Sequence, residues 1–248
     1  MADLGFLFSV ALFELTSSIS TMKMLAQQAE NNVQFAMKAA NEPGAILTGE
    51  FEEEVQDESG VTYLRTRTYY SCGSCVGYDE EVREEYKMLI AALTRRSAFL
   101  TMFGLFEHRI SGCLDLMISL TNFGGDLEYK GPIEKTDTIL KKGFNARDID
   151  DVDHLTIIRN IMAHNDGMAT KYHEIRCKEG KKTTFEKRLI KAIERTQGIE
   201  VNIFNGIIVD EQFLTYVVSE FSRYANALEH TIQKHNRPPP LHQRSAME

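Results

Sequence analysis

A chain of 248 residues is long enough for one sizeable core or two small ones, and 43% apolar with 26% charged residues is a globular rather than a disordered composition. A net charge of −8 excludes a protein that coats nucleic acid by bulk electrostatics, while leaving room for an enzyme holding a few phosphates in a local basic cleft. The four cysteines, Cys72, Cys75, Cys113 and Cys177, are too few and too scattered for a secreted disulfide framework.

The segment from Leu4 to Phe13 is apolar, but no Lys or Arg precedes Lys23 and Glu14 interrupts it. It lacks the basic start of a signal peptide and is too short to span a bilayer. The expectation is a buried helix start in a cytoplasmic protein with no membrane contact. Helical spacing runs on to Ala40 through Phe6, Val10, Phe13, Ser17, Met24, Val33 and Met37, and Pro43-Gly44 stops it. Residues 45–58 read as acidic and weakly helical. Val61 to Tyr70 is rich in β-branched and aromatic residues, so a strand or extended excursion is expected there.

Cys72-x-x-Cys75 follows; without a second such pair, or a His pair, it does not make a zinc site, and no metal or cofactor is expected. A second long helix is expected over about 79–120, with acids at its start and Leu89, Leu93, Leu100, Phe103, Phe106, Ile110, Cys113, Leu114 and Met117 as its apolar positions. Pro132 opens a shorter helix to Lys142. Asp148 or Asp150 then caps a fourth, which ends near His164 at Asn165-Asp166-Gly167. Between Lys171 and Arg195 nine Lys or Arg stand against four Glu, read either as solvated surface or as a phosphate-facing lip. Asn205-Gly206 between apolar runs signals a hairpin. The last helix, about 211–234, carries Phe213, Val217, Phe221, Tyr224, Leu228 and Ile232 at helical spacing, and a Pro-rich tail, 236–248, reads as disordered. The expected architecture is all-α, an antiparallel helical bundle in one domain (1–235) with small β-hairpin or extended insertions.

The fourth helix carries the chemistry. Leu155, Ile158 and Met162 form one apolar stripe, and Ile157 and Ile161 lie nearly opposite, sharing their face with Asn160 and His164. A helix apolar on two sides needs two covers: the bundle core, and a twin subunit as the economical second. Arg159 and His164 suit metal-free cleavage of RNA. Imidazole can move a proton near neutral pH, and a guanidinium can clamp the phosphate and stabilise its developing charge. Asn160, one turn before His164, can orient the imidazole. Five residues set Arg159 and His164 about 140° apart on an ideal helix, so they converge only if the last turn loosens or Arg159 reaches round. Glu107 is placed either to hold Arg159 or to stand as an exposed acid, and His154 reads as surface. The competing structural reading makes Arg159 and His164 bridges between helices.

Arg159-Asn160-x-x-x-His164 near a helix end, followed by a polar turn, resembles the motif of the HEPN superfamily (higher eukaryotes and prokaryotes nucleotide-binding domains). That resemblance implies a helical bundle dimerising through its motif helices, with residues 45–78 and 166–210 as insertions. It implies a metal-independent endoribonuclease of the toxin or antiviral-defence kind, with Arg159 and His164 as the motif's Arg and His and Asn160 as its polar residue. Its expected partners are RNA, a second copy of the chain, and an antitoxin or sensor protein. Lys171, His173, Lys181 and Lys182 in the basic stretch are the candidates to touch substrate. The alternative expectation is a catalytically silent dimeric module that binds nucleotide, RNA or a protein.

Overall fold

The computed structural model describes residue 7 and residues 9–236, so the expected helix start near Leu4 and the tail beyond 236 lie outside the described residues. Within them, helices dominate: α1 (Val10–Ala40), α2 (Val82–Thr121), α3 (Pro132–Lys142), α4 (Asp153–His164), α5 (Tyr172–Cys177), α6 (Thr184–Arg195) and α7 (Phe213–Asn236). Strands β1 (Leu47–Gln56), β2 (Thr62–Cys72) and β3 (Cys75–Gly77) form one antiparallel sheet, and β4 (Ile199–Val201) pairs with β5 (Ile207–Val209). The chain divides into two compact units, one of Gln27–Ser97 and one of the two flanking stretches, with α1 and α2 each contributing to both.

In the unit of residues 27–97, the stretch read as weakly helical is the strand β1. Its period of two decides this: Glu50, Glu52 and Glu54 are exposed, while Phe51, Glu53 and Val55 are half-buried. Ten cross-strand pairs, from Leu47 with Ser71 to Gln56 with Thr62, override the poor β-propensity of glutamate. Glu53 pairs with Arg67, whose guanidinium lies over the Tyr78 ring. Cys72 and Cys75 face each other across a two-residue turn, Gly73 taking a positive φ of 56°. Cys72 is buried with Ala40 and Val82, a packing role. Arg95 and Glu30, both nearly buried, join α2 to α1 by a two-pronged pair at 2.8 Å.

In the larger unit the core is an aromatic ladder between α2 and α7. Phe99 meets Phe213 with ring centroids 5.0 Å apart, Phe103 meets Phe221 at 5.9 Å, and Phe106 stacks on Phe221 at 4.0 Å and meets Tyr224 edge-on at 6.3 Å. The six apolar positions expected on the last helix are all buried. On α1 the expected stripe holds at Val33 and Ala40, both buried, and fails toward the start of the helix. Val10, Phe13 and Met24 are at least 60% exposed, and the core takes Leu12, Leu15, Met22 and Ala26 instead. Apolar residues recur on two faces of α1, so spacing did not choose between them.

Of the described helices, α2 alone has the length and composition to cross a bilayer, and it includes the buried Phe99, Met102, Phe103, Phe106 and Ile110 of this ladder, as a core helix does. Truncating the ladder at Phe106→Ala is expected to destabilise the protein by about 3–5 kcal/mol. Urea unfolding checks this, and a loss under about 1 kcal/mol would show that the ladder does not carry the core.

Candidate functional site

Helix α4 begins without a capping side chain: Val152 is its N-cap, and neither Asp148 nor Asp150 serves. Asp151 does accept the backbone N–H of Asp153 (3.2 Å), a local turn that leads the chain into the helix. The other end is sharp. The N–H groups of Asn165 and Gly167 both reach the carbonyl of Ile161 at 3.1 Å, and Gly167 has φ = +77°, which favours glycine. The last turn therefore stays wound through His164 and does not loosen near Ala163.

Burial around α4 follows one broad arc. At about 100° per residue, the buried Ile157, Ile161, His154, Ile158, Met162 and Leu155 follow one another around the helix. His154, expected at the surface, is 4% exposed and lies in the middle of this arc, joining the two apolar stripes into one. Within the chain α6 packs along α4, burying its own Leu189, Ala192 and Ile193. Ile157 and Ile161 are thus covered without a second subunit. The remaining arc is open and carries Arg159, Ala163, Thr156, Asn160, Asp153 and His164.

The start of α4 is held by a buried polar knot. The Tyr216 hydroxyl donates to the carbonyl of Arg195 (3.1 Å) and lies 2.9 Å from His154 Nε2. A hydroxyl that gives its only proton to that carbonyl receives one from the ring, so Nε2 carries the hydrogen and the buried Nδ1, which has no partner, is bare. Glu220 accepts from Arg195 (3.2 Å) and Arg223 (2.9 Å), and Arg223 also holds the carbonyl of Asp150 (2.9 Å). Burial works to raise the Glu220 pKa, but these cations more than offset it and hold it low. Arg195 ends α6, and Arg188 in the second turn of α6 also reaches the start of α4, donating to Asp153.

Arg159 is the most constrained residue of the open arc. Its Nη2 donates to Glu107 Oε2 of α2 (2.9 Å), its Nη1 donates to Asn160 Oδ1 (2.9 Å), and the guanidinium lies over the Phe103 ring, 5.0 Å from the centroid. Two of its five N–H groups are engaged and the rest remain to donate. Asn160 therefore orients Arg159 rather than the imidazole. His164 is exposed and makes no hydrogen bond among the described residues. No hydrogen bond joins it to Arg159, which turns toward α2.

Beside Arg159 opens a cleft of about 470 Å³. Its lining includes Glu107, Glu134, Asp137, Asp151 and Asp153, against two cations, Arg159 and Arg188. Arg188 is held by Asp153 in a two-pronged pair (2.5 and 3.0 Å), so the cleft is acidic overall.

The expected substrate contacts lie elsewhere. Lys171 is exposed, at the left-handed residue before α5 (φ = 61°). His173 is a tie: its N–H donates to Asn205 Oδ1 (3.1 Å) and its Nε2 lies 2.8 Å from the carbonyl of Asn202, pinning α5 to the β4–β5 hairpin. Lys181 is exposed, and Lys182 donates to the carbonyl of Lys178 (2.7 Å). Both precede α6, a helix the basic composition concealed although Thr183-x-x-Glu186 spells a capping box, here fully formed. None of the four lines the Arg159 cleft. Phe103, Tyr216 and Glu220, which position the motif helix, look in the sequence like ordinary members of their helices.

Burial, reinforced by the charge of Arg195, pushes the His154 pKa from its ordinary 6.5 down to about 4. The unfolded chain therefore takes up a proton first as pH falls, and stability present above about pH 6.5 is lost on the way to pH 4. Between about pH 7 and pH 4.5 the wild type is expected to lose about 2–3 kcal/mol more than His154→Gln does, measured by urea unfolding. Equal losses would place His154 outside the pH response. Comparison with family models, with curated proteins and with solved structures gave no match to the chain.

Proposed function

We propose that the chain is a HEPN-like, metal-independent endoribonuclease that acts as a homodimer on single-stranded RNA. The observation that carries this reading is the arrangement of Arg159. Glu107, Asn160 and Phe103 hold its guanidinium at one edge of the open arc of α4, and His164 stands at the other edge, about 140° round the helix, so the two come together only if a second chain supplies the other member. Positioned charge and an imidazole able to move one proton are two of the elements that internal transphosphorylation draws on.

In this reading the 2′-hydroxyl attacks its own phosphodiester. Arg159 stabilises the negative charge that builds on the phosphoryl oxygens, and His164 transfers a proton to or from the reacting oxygens. The products are a 2′,3′-cyclic phosphate and a 5′-hydroxyl. One imidazole per chain supplies one of the two proton transfers, which is the argument for a pair of chains. Helix α2 offers room for that pair: Gly104, His108 and Ser111 are exposed around Glu107, and a Cβ on Gly104 would meet nothing within 4 Å. A cytoplasmic setting, with an antitoxin or sensor protein restraining the activity, completes the proposal by analogy of motif alone.

A second reading has its own observation. The acidic cleft beside Arg159 and the Glu107 pair neutralise the motif's cation, as suits a silent module that binds a protein or nucleotide through this face. Labelled RNA incubated with the protein in EDTA separates the two. Cleavage is expected in wild type, and Arg159→Ala and His164→Ala are each expected to lose about 100-fold or more. Cleavage that vanishes in EDTA would end the metal-free mechanism, and cleavage that survives both substitutions would end the site. RNA binding without cleavage by the wild type would favour the silent module.

A further inference from the structure

Away from the motif, a cleft of about 580 Å³ opens between α7 and the loop that follows α3. Its size falls within the range of about 300–1,000 Å³ typical of small-molecule sites. Its lining is divided by chemistry. Phe144, Ala146, Ile149 and Ala227 make an apolar floor, Asp148 stands on the loop wall, and His230 and Lys234 stand on the helix wall. Asp148 and Lys234 make no ion pair with each other or with any described residue. Opposite charges thus line one cleft without neutralising each other.

The walls are pre-formed. At one end of the loop, the N–H groups of Gly143 and Phe144 donate to the carbonyl of Ile139 (2.7 and 3.0 Å), and that of Ala146 donates to the carbonyl of Leu140 (2.9 Å). At the other end, Arg223 of α7 holds the carbonyl of Asp150 at 2.9 Å. Phe144 packs edge-on against His235, centroids 5.0 Å apart, and His235 Nε2 lies 3.3 Å from the carbonyl of Leu120. A loop fixed at both ends against a helix keeps its shape without ligand, which lowers the entropy lost on binding.

We propose that this cleft binds a small zwitterion with an apolar arm, an α-amino acid with an aromatic or branched side chain. Asp148 receives the ammonium, Lys234 with His230 receives the carboxylate, and the side chain lies on Phe144, Ile149 and Ala227. An anion alone would meet Asp148, and a cation alone would meet Lys234. Only a ligand carrying both charges satisfies both walls.

The two charged walls make the proposal testable ligand by ligand. Calorimetry on the full chain uses L-phenylalanine, phenethylamine (no carboxylate), 3-phenylpropanoate (no ammonium) and glycine (no apolar arm). Phenylalanine is expected to bind with a dissociation constant of about 1 mM or below, and each of the other three about tenfold or more weaker. Asp148→Asn is expected to weaken phenylalanine and phenethylamine but not 3-phenylpropanoate, and Lys234→Gln to weaken phenylalanine and 3-phenylpropanoate but not phenethylamine. Both side chains are at the surface, so neither variant endangers the fold, and Ala227→Leu, which fills the floor, is expected to abolish binding. No phenylalanine binding by about 10 mM, equal affinity for phenylalanine and either single-charge analogue, or indifference to both charge variants overturns the proposal. RNA cleavage plays no part in this readout, so its outcome is independent of the proposed nuclease.

Discussion

The interlock of α2 with α7 is the constraint on which the Arg159 arrangement rests. Phe103 and Phe106 of α2 close on Phe221 of α7, and no side chain in that set is more than 1% exposed. Phe103 also presents its face to the Arg159 guanidinium, and Glu107, one turn further along α2, takes one of its N–H groups. The core thus sets where Arg159 points. Aromatic rings at fixed separations do not drift as solvated side chains do, and the orientation of the cation inherits that rigidity. Helix α4 is anchored independently at its first turn, where His154, Tyr216 and the Arg195 carbonyl meet. Between the two anchors the helix can neither rotate nor slide without breaking buried contacts.

Electrostatics around the motif is asymmetric. On the α3 side of Arg159 the carboxylates of Glu134, Asp137, Asp151 and Asp153 gather, and Arg188 offsets only part of that charge. In a cleft with protein walls such a field is felt more strongly than over open surface and repels polyanions. The exposed lysines follow His164, in the loops around α5 and before α6.

The helices were legible in the sequence wherever one pattern stood alone. The last helix shows a single apolar stripe and buries all of it, and Pro132 and Gly167 mark a start and a stop that the structure keeps. Where two patterns compete, the sequence misleads. Acidic composition hid the alternation of β1, because three exposed glutamates on one face give the same letter count as an acidic helix. Basic composition hid α6, although its amphipathic spacing and its capping box were both present. On α1 two apolar stripes compete, and only the partners available in three dimensions decide which is buried. Glu107 as the holder of Arg159 was within reach of sequence reasoning. The Phe103 face and the Tyr216 hydroxyl were not, since their roles arise from residues more than 50 positions away.

In α4 the burial of one residue, His154, decides whether the helix needs a second apolar cover. Two apolar stripes flanking a polar His154 suggest a helix facing two separate surfaces, and a second subunit follows naturally. Once His154 is buried and neutral, the stripes and the histidine form a single arc that α6, α7 and the core cover within one chain. The apolar residues of α4 therefore no longer argue for a dimer. What argues for one is chemical. The open arc offers a positioned cation and one imidazole, and cleavage by internal transphosphorylation asks for two proton transfers. The partner that the reading needs must approach the exposed face of α4 and α2, where Gly104 and Ser111 leave space, and it must bring a second His164 rather than a second hydrophobic surface.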